Sequence, residues 1–237
     1  MFLPVKDDNP TRIVPIVTVA IIGLCVLVYL YQLWLGRYAG ERFVLAYGMI
    51  PAVLFGEAQL DPRIGGVGPL TSLLTSMFVH GGLMHLLGNM IYLWVFGNNI
   101  EDALGHVRFI LFYVLCGVAA ALTQAFIDPG SKLPMVGASG AISGVLAAYL
   151  VLHPQARVTV FVWLLIFIRF IQLPAGLVLG IWILFQVLNA ATADPQQGGV
   201  AWFAHIGGFF AGLVLLPLLR GRDAPYVGAG RSRGPWS

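Results

Sequence analysis

The chain has 237 residues, of which 59% are hydrophobic and only 10% charged, with 13 Lys and Arg against 10 Asp and Glu for a formal net charge of +3. A water-soluble domain is nearer half apolar and a quarter charged, so this composition excludes a soluble globule. The small basic excess gathers toward the chain ends and is no nucleic-acid footprint. No phosphate-binding loop, dinucleotide fingerprint or HExxH is present, and the two cysteines, Cys25 and Cys116, sit singly in apolar runs as packing residues.

In chain order, Met1 to Thr11 reads as a short polar lead-in, with Pro4, Asp7, Asp8 and Pro10 and no signal-peptide cleavage pattern. Ile13 to Leu35 is long enough for a first membrane span, at about 20 residues per crossing, and ends in Tyr29, Tyr31 and Trp34 like an interfacial belt. Gly36 to Leu70 is too apolar for a free linker and too broken to span. A partly embedded loop with short interfacial helices is expected there.

Ser72 to Gly97 gives a second span, unusual for carrying His80, His85 and Asn89, with Asn98 to Gly105 as a turn after it. His106 to Ile127 is the third. Ser139 to Leu152 is apolar but only about fourteen residues long, short of a full crossing of ~20. Its N-terminus should therefore lie below the surface, in a water-filled recess. After the break at His153-Pro154, Arg157 to Gln172 is aromatic-rich and reads as an interfacial lead-in to a fifth span from Pro174 to about Asn189. Trp202 to Leu219 is the sixth, and residues 220–237 read as a disordered tail.

The fold class expected is an all-α membrane protein, a bundle of six transmembrane helices over residues 13–219 with a partly embedded first outward loop. With six spans both termini share a side. Nine of the thirteen Lys and Arg residues fall on it, against Arg37, Arg42, Arg63 and Lys132 on the other, which puts both termini in the cytoplasm. His85, Ser139 and His205 then each follow an outward loop and lie in the outer half of the membrane.

That coincidence matters because polar groups in a bilayer are costly and usually functional. Ser139 by itself reads as a helix cap in a glycine-rich turn. A serine becomes a nucleophile only when a neighbouring base takes its proton, and histidine is the usual base. Small residues flank both candidates, with Gly140, Ser143, Gly144 and Ala147 around Ser139. Ala204, Gly208 and Gly212 form a small-xxx-small ladder beside His205, which lets helices approach at backbone distance. On this reading Gly208 faces the Ser139 helix, whereas Gly207, one position round, should tolerate a side chain better. His85 and Asn89, four residues apart, share a helix face and can donate hydrogen bonds to an oxyanion, as can the Ser139 amide at its helix start. His80 is either a surface residue or a neighbour of the site. No carboxylate lies at a matching depth, which favours a Ser–His dyad over a triad.

Four motifs then coincide. Gly137-Ala138-Ser139-Gly140 resembles the GxSG of the rhomboid intramembrane serine proteases. His85 and Asn89 match that family's HxxxN, and Ala204-His205-Ile206-Gly207-Gly208 its AHxxG. Gly97, Glu101 and Gly105 are similar to its GxxxExxxG. The resemblance implies Ser139 as nucleophile and His205 as base, with His85, Asn89 and the Ser139 amide as oxyanion donors. It implies a structural role for Glu101, tying the turn after the second helix. It implies cleavage of transmembrane protein substrates near the outer face, in a bacterial inner membrane, with a small residue before the cut and helix-breaking residues near it. The implied partners are those substrates and the lipid bilayer; no metal, nucleotide or organic cofactor is implied. The resemblance stops at the first outward loop, which has Arg37 and Arg42 but not the Trp-Arg pair of many members. A non-catalytic membrane-protein binder and a small transporter are the competing classes. The dyad argues against the first, and the lack of an inverted repeat against the second.

Overall fold

The computed structural model describes residues 2–164, 167–193 and 199–220. In chain order the elements are β1 (Phe2–Asp7), α1 (Ile16–Trp34), α2 (Gly36–Tyr47), α3 (Pro51–Leu54), α4 (Pro69–Thr75), α5 (Leu83–Leu104) and α6 (His106–Ile127). They continue with α7 (Ser139–Leu152), β2 (Arg157–Leu164), β3 (Phe167–Pro174), α8 (Ala175–Thr192) and α9 (Trp202–Leu219). The protein is mostly helical and is an integral membrane protein. Among the described residues, four helices, α1, α6, α8 and α9, are long and apolar enough to cross a membrane. Their outer faces carry bare apolar side chains such as Leu27, Val107, Leu184 and Val214, which suit lipid rather than water. Of the other two expected spans, α5 is long but ends in Asn98, Asn99, Glu101 and Asp102, and α7 has 14 residues.

Helix α7 is the centre of the molecule. Every residue from Gly140 to Tyr149 is buried, among α5, α6, α8 and α9. At 1.5 Å per residue it is about 21 Å long, shorter than the ~30 Å hydrocarbon layer. Its glycine and alanine surface lets α9 come in at backbone distance. A side chain on Gly208 would collide with the Gly140 carbonyl, and one on Gly212 with that of Gly144. The sequence ladder on α9 therefore meets its counterpart on α7.

The short segments after α1 pack back onto the stretch that leads into Ser139. Met49 and Met135 bond each other's backbones, the Ala52 amide donates to the Ser131 carbonyl at 2.9 Å, and the Gly137 amide donates to the Ser76 carbonyl at 2.8 Å. The first loop holds the helices α2 and α3.

Five expectations need correction. The chain is not all-α: β1, β2 and β3 form an antiparallel three-stranded sheet in that order, with Phe2 opposite Val162 and Phe161 opposite Phe170. The stretch Arg157 to Gln172, read as a lead-in to the fifth span, is thus a pair of antiparallel strands. Val158, Val160 and Val162 alternate at period two and are buried, which is a strand pattern of β-branched residues. The supposed lead-in contributes β1, the outer strand paired with β2. The second span does not begin at Ser72: α4 ends at Thr75 and α5 starts after a bend at Gly81-Gly82. Finally, Asn98 to Leu104 continues α5 as helix, and the turn is confined to Gly105, at φ +75°. The expectation of a disordered tail falls on residues 221–237, outside the described residues.

Glu101 is fully buried, and its role is larger than closing a turn. It accepts hydrogen bonds from the Val17 amide (2.9 Å), the Thr18 amide (2.7 Å), the Thr18 hydroxyl (2.7 Å) and His106 Nδ1 (2.6 Å). Helix α1 has Pro15 at its N-cap and no side-chain cap of its own. A carboxylate from α5 therefore satisfies its first-turn donors. Asp102 receives the Arg12 and Ile13 amides at 2.9 and 3.0 Å in the same way.

Candidate active site

Ser139 is the first residue of α7, and the N-cap position belongs to Ala138, which supplies no capping side chain. The serine hydroxyl is thus free of the capping role that its sequence position suggests. Its Oγ lies 2.8 Å from Nε2 of His205 on α9. That distance is within the range in which a base takes a proton from a nucleophile, about 2.6–3.2 Å. The Ser139 carbonyl accepts the Ser143 hydroxyl at 2.6 Å one turn along, which fixes the start of the helix.

His205 is buried and held on every side. Trp182 of α8 lies over its ring at 5.9 Å between centroids with a 37° tilt, and Trp202 meets it edge-on at 6.2 Å. Its Nδ1 lies 2.8 Å from Oε1 of Gln186, also on α8. With Nδ1–H donated to that oxygen, Nε2 presents a lone pair to the serine hydroxyl.

His85 and Asn89 share one face of α5, as their spacing requires. The Gly81 amide donates to His85 Nδ1 at 3.4 Å, leaving the hydrogen on Nε2. That atom faces Gly137. A Cβ built on Gly137 would stand 2.6 Å from His85 Nε2 and 3.5 Å from Asn89 Nδ2. Two N–H donors therefore converge on the space that a side chain two residues before Ser139 would fill. Gly137 also has φ +118°, so both its conformation and its lack of a side chain are required. The amide nitrogen of Asn89 is buried without a protein partner, a donor left for something that enters this space. The Ser139 amide, at the first helical position, has no acceptor within α7.

His80 is buried rather than on the surface. Its backbone amide donates to Gln32 Oε1 at 3.2 Å, and its ring stands edge-on to His85 at 5.3 Å. It touches an expected oxyanion donor and not the serine–histidine pair. Ser139 and His205 thus pair between α7 and α9, and His85 and Asn89 face Gly137, two residues before the serine.

Gln186 and Trp182 were not singled out by sequence reasoning. The usable signal was there: Gln186 is an uncharged polar residue deep in the apolar run of α8, and such residues earn scrutiny in a membrane helix. Gly137 was seen as a turn former, and its role as a wall of the space is visible only in three dimensions.

Chemically, the arrangement supplies a hydroxyl with a base at hydrogen-bond distance and fixed N–H donors beside it. Those are the parts needed to attack a carbonyl and hold the oxyanion that results.

Comparison with known proteins agrees with the motifs. Residues 68–222 match the family model described as the Rhomboid domain. The chain is 31% identical over 150 residues to Rhomboid protein 1, mitochondrial, of Saccharomyces cerevisiae, covering 60% of this chain and 40% of that one. It is 35% identical over 91 residues to RHOMBOID-like protein 5 of Arabidopsis thaliana, covering 38% of this chain and 29% of that one. To the human Presenilin-associated rhomboid-like protein, mitochondrial, it is 32% identical over 149 residues, covering 60% and 36%. The matches thus span well under half of the length of these three curated relatives.

Proposed function

The chain belongs to the rhomboid family, and from that premise we propose that it is an intramembrane serine endopeptidase whose nucleophile is Ser139 and whose general base is His205. The observation that carries this reading is the 2.8 Å contact between Ser139 Oγ and His205 Nε2. His205 takes the hydroxyl proton as Oγ attacks the carbonyl carbon of a substrate peptide bond. The carbonyl oxygen becomes an oxyanion held by His85 Nε2–H, Asn89 Nδ2–H and the Ser139 amide. His205 then passes its proton to the leaving amine, and water, activated by the same imidazole, hydrolyses the acyl-enzyme.

The substrates we propose are transmembrane proteins, cut near the outer face where a short α7 leaves room for water. A helical peptide bond is hydrogen-bonded and shielded, so the segment cut should contain helix-breaking residues and a small residue before the bond. We propose six spans, α5 and α7 with the four longer apolar helices, with both termini in the cytoplasm in keeping with the Lys and Arg bias, in an inner membrane of bacterial type. The test is cleavage of a model transmembrane substrate in proteoliposomes. Ser139→Ala and His205→Ala are each expected to abolish it while the protein still inserts and folds. Wild-type-like cleavage in either variant refutes the assignment.

A further inference from the structure

We propose that Gln186 is the positioning residue of His205, the third member of the site, supplying through a neutral amide the orientation that a carboxylate supplies in a Ser–His–Asp triad. The proposal rests on the reading of Ser139 and His205 as nucleophile and base.

The amide can sit only one way round. Gln186 is 4% exposed, and its Nε2 donates to the backbone carbonyl of Trp182, one turn earlier, at 3.0 Å. A carbonyl only accepts, so the nitrogen must face it and Oε1 must face His205 Nδ1, at 2.8 Å. Oε1 also only accepts, so the hydrogen of a neutral imidazole must be on Nδ1. Nε2 is then the bare nitrogen, and it is the one that meets Ser139 Oγ. A backbone carbonyl thus fixes an amide, the amide fixes a tautomer, and the tautomer is the one that can act as base.

The local sequence explains the choice of residue. The buried residues of α8 are Ala175, Leu179, Gln186 and Ala190, a single narrow stripe. Gln186 is the polar member of that stripe, on the same face as Trp182, which packs on the imidazole. One helix therefore sets both the plane of the ring and its hydrogen position. A carboxylate here would need to be desolvated among Trp182, Trp202 and Phe209, which is costly; an amide provides the acceptor without the charge. During proton transfer the imidazole becomes a cation, and the Oε1 dipole already points at its Nδ1–H.

Two substitutions separate positioning from packing. Gln186→Leu keeps the bulk and removes the acceptor. Gln186→Glu keeps an acceptor oxygen toward Nδ1. Where a histidine loses the partner that orients it, losses of roughly 10–100-fold are usual in metal sites. Gln186→Leu should lower kcat by about that factor with KM little changed, and slow fluorophosphonate labelling of Ser139 equally. Gln186→Glu should keep the Nδ1–H tautomer and most of kcat but lower the melting temperature, because its second oxygen must be protonated to meet the Trp182 carbonyl. A packing role predicts the reverse order, with Leu tolerated and Glu harmful. Should Gln186→Leu not fold, Gln186→Met carries the same expectation.

The decisive readout is the ¹⁵N spectrum of His205 in the intact protein. It should report Nδ1–H in wild type and a shift toward Nε2–H in Gln186→Leu. An unchanged tautomer in that variant overturns the proposal, as does a changed tautomer with wild-type kcat. The spectrum needs no turnover. A wild-type protein that neither labels nor cleaves, but shows the tautomer change, would therefore sink the protease reading and leave the Gln186–His205 relation standing.

Discussion

Gly137 faces His85 so closely that a Cβ on the glycine would stand 2.6 Å from the imidazole Nε2. The smallest possible addition near the serine therefore fills the space toward which His85 and Asn89 point. Gly137→Ala is expected to lower cleavage by at least the roughly 10²–10³-fold that follows loss of one oxyanion donor, since it obstructs two. Its φ of +118° adds strain, so thermal stability should be measured alongside. Full activity in Gly137→Ala would mean that the oxyanion is bound elsewhere.

Asn89→Ala removes one donor and adds nothing. Turnover should fall by roughly 10²–10³, with a smaller change in apparent substrate affinity. The effect is expected in kcat because Nδ2 is buried with no protein partner and can donate to a developing oxyanion. A loss carried mainly by KM would make Asn89 a substrate contact. Combined with Ser139→Ala it should add nothing, because the parts of one site act as a unit.

Gly207 and Gly208 of α9 are both in contact, but with different things. A side chain on Gly208 meets the backbone of Gly140, which cannot move without shifting α7. A side chain on Gly207 meets Thr123 of α6, at 2.5 Å from its Cβ. Gly207, expected to tolerate a side chain better than Gly208, is thus obstructed too, by a side chain where Gly208 is obstructed by backbone. Gly207→Ala and Gly208→Ala should both lower activity and melting temperature, and a displacement of the dyad by ~1 Å can cost about 10²-fold. The difference lies in rescue. Thr123→Gly removes the three atoms nearest to a Cβ on Gly207 and should restore Gly207→Ala in part, at a cost of about 1 kcal/mol for a glycine in a helix. The same change should not rescue Gly208→Ala. Equal rescue of both would contradict the packing described for α9.

Asp7 links the sheet to α7, accepting the Tyr149 hydroxyl at 2.6 Å. Burial pushes its carboxyl up from 3.8 to about 6, against the lowering effect of the Tyr149 hydrogen bond. A raised folded-state value favours the protonated form. The stability it contributes is complete below pH ~4, is lost as pH rises through about 6, and is constant above that. At 1.36 kcal/mol per unit, the change is on the order of 2–3 kcal/mol. Asp7→Asn should flatten the melting temperature across this window and leave the variant relatively more stable than wild type at pH 7 than at pH 4. Parallel profiles would show that Asp7 does not titrate in this way.

Much of the site was legible from spacing. His85 and Asn89 lie one turn apart, and the glycine ladder of α9 has a four-residue step, so helical geometry alone puts each set on one face. The shortness of α7 was equally visible, because length against bilayer thickness needs no tertiary information. What the linear sequence hid is what depends on other segments. The strand over Arg157–Leu164 was masked by aromatic content: Phe161 and Trp163 drew attention from the Val158, Val160, Val162 alternation, and the partner of Val162 is Phe2, at the other end of the chain. Glu101 looked like a turn residue because its real partners, Val17 and Thr18, are on another helix. Gln186 carried a signal in its polarity, but its partner His205 follows only after the next helix begins.

The central claim is that Ser139 is made nucleophilic by His205. The most direct measurement is covalent labelling of the purified, membrane-reconstituted protein with a fluorophosphonate, located by peptide mass spectrometry. The account predicts a single adduct on Ser139, absent in Ser139→Ala and strongly slowed in His205→Ala. Labelling that persists in Ser139→Ala, or that proceeds at the wild-type rate in His205→Ala, would contradict it.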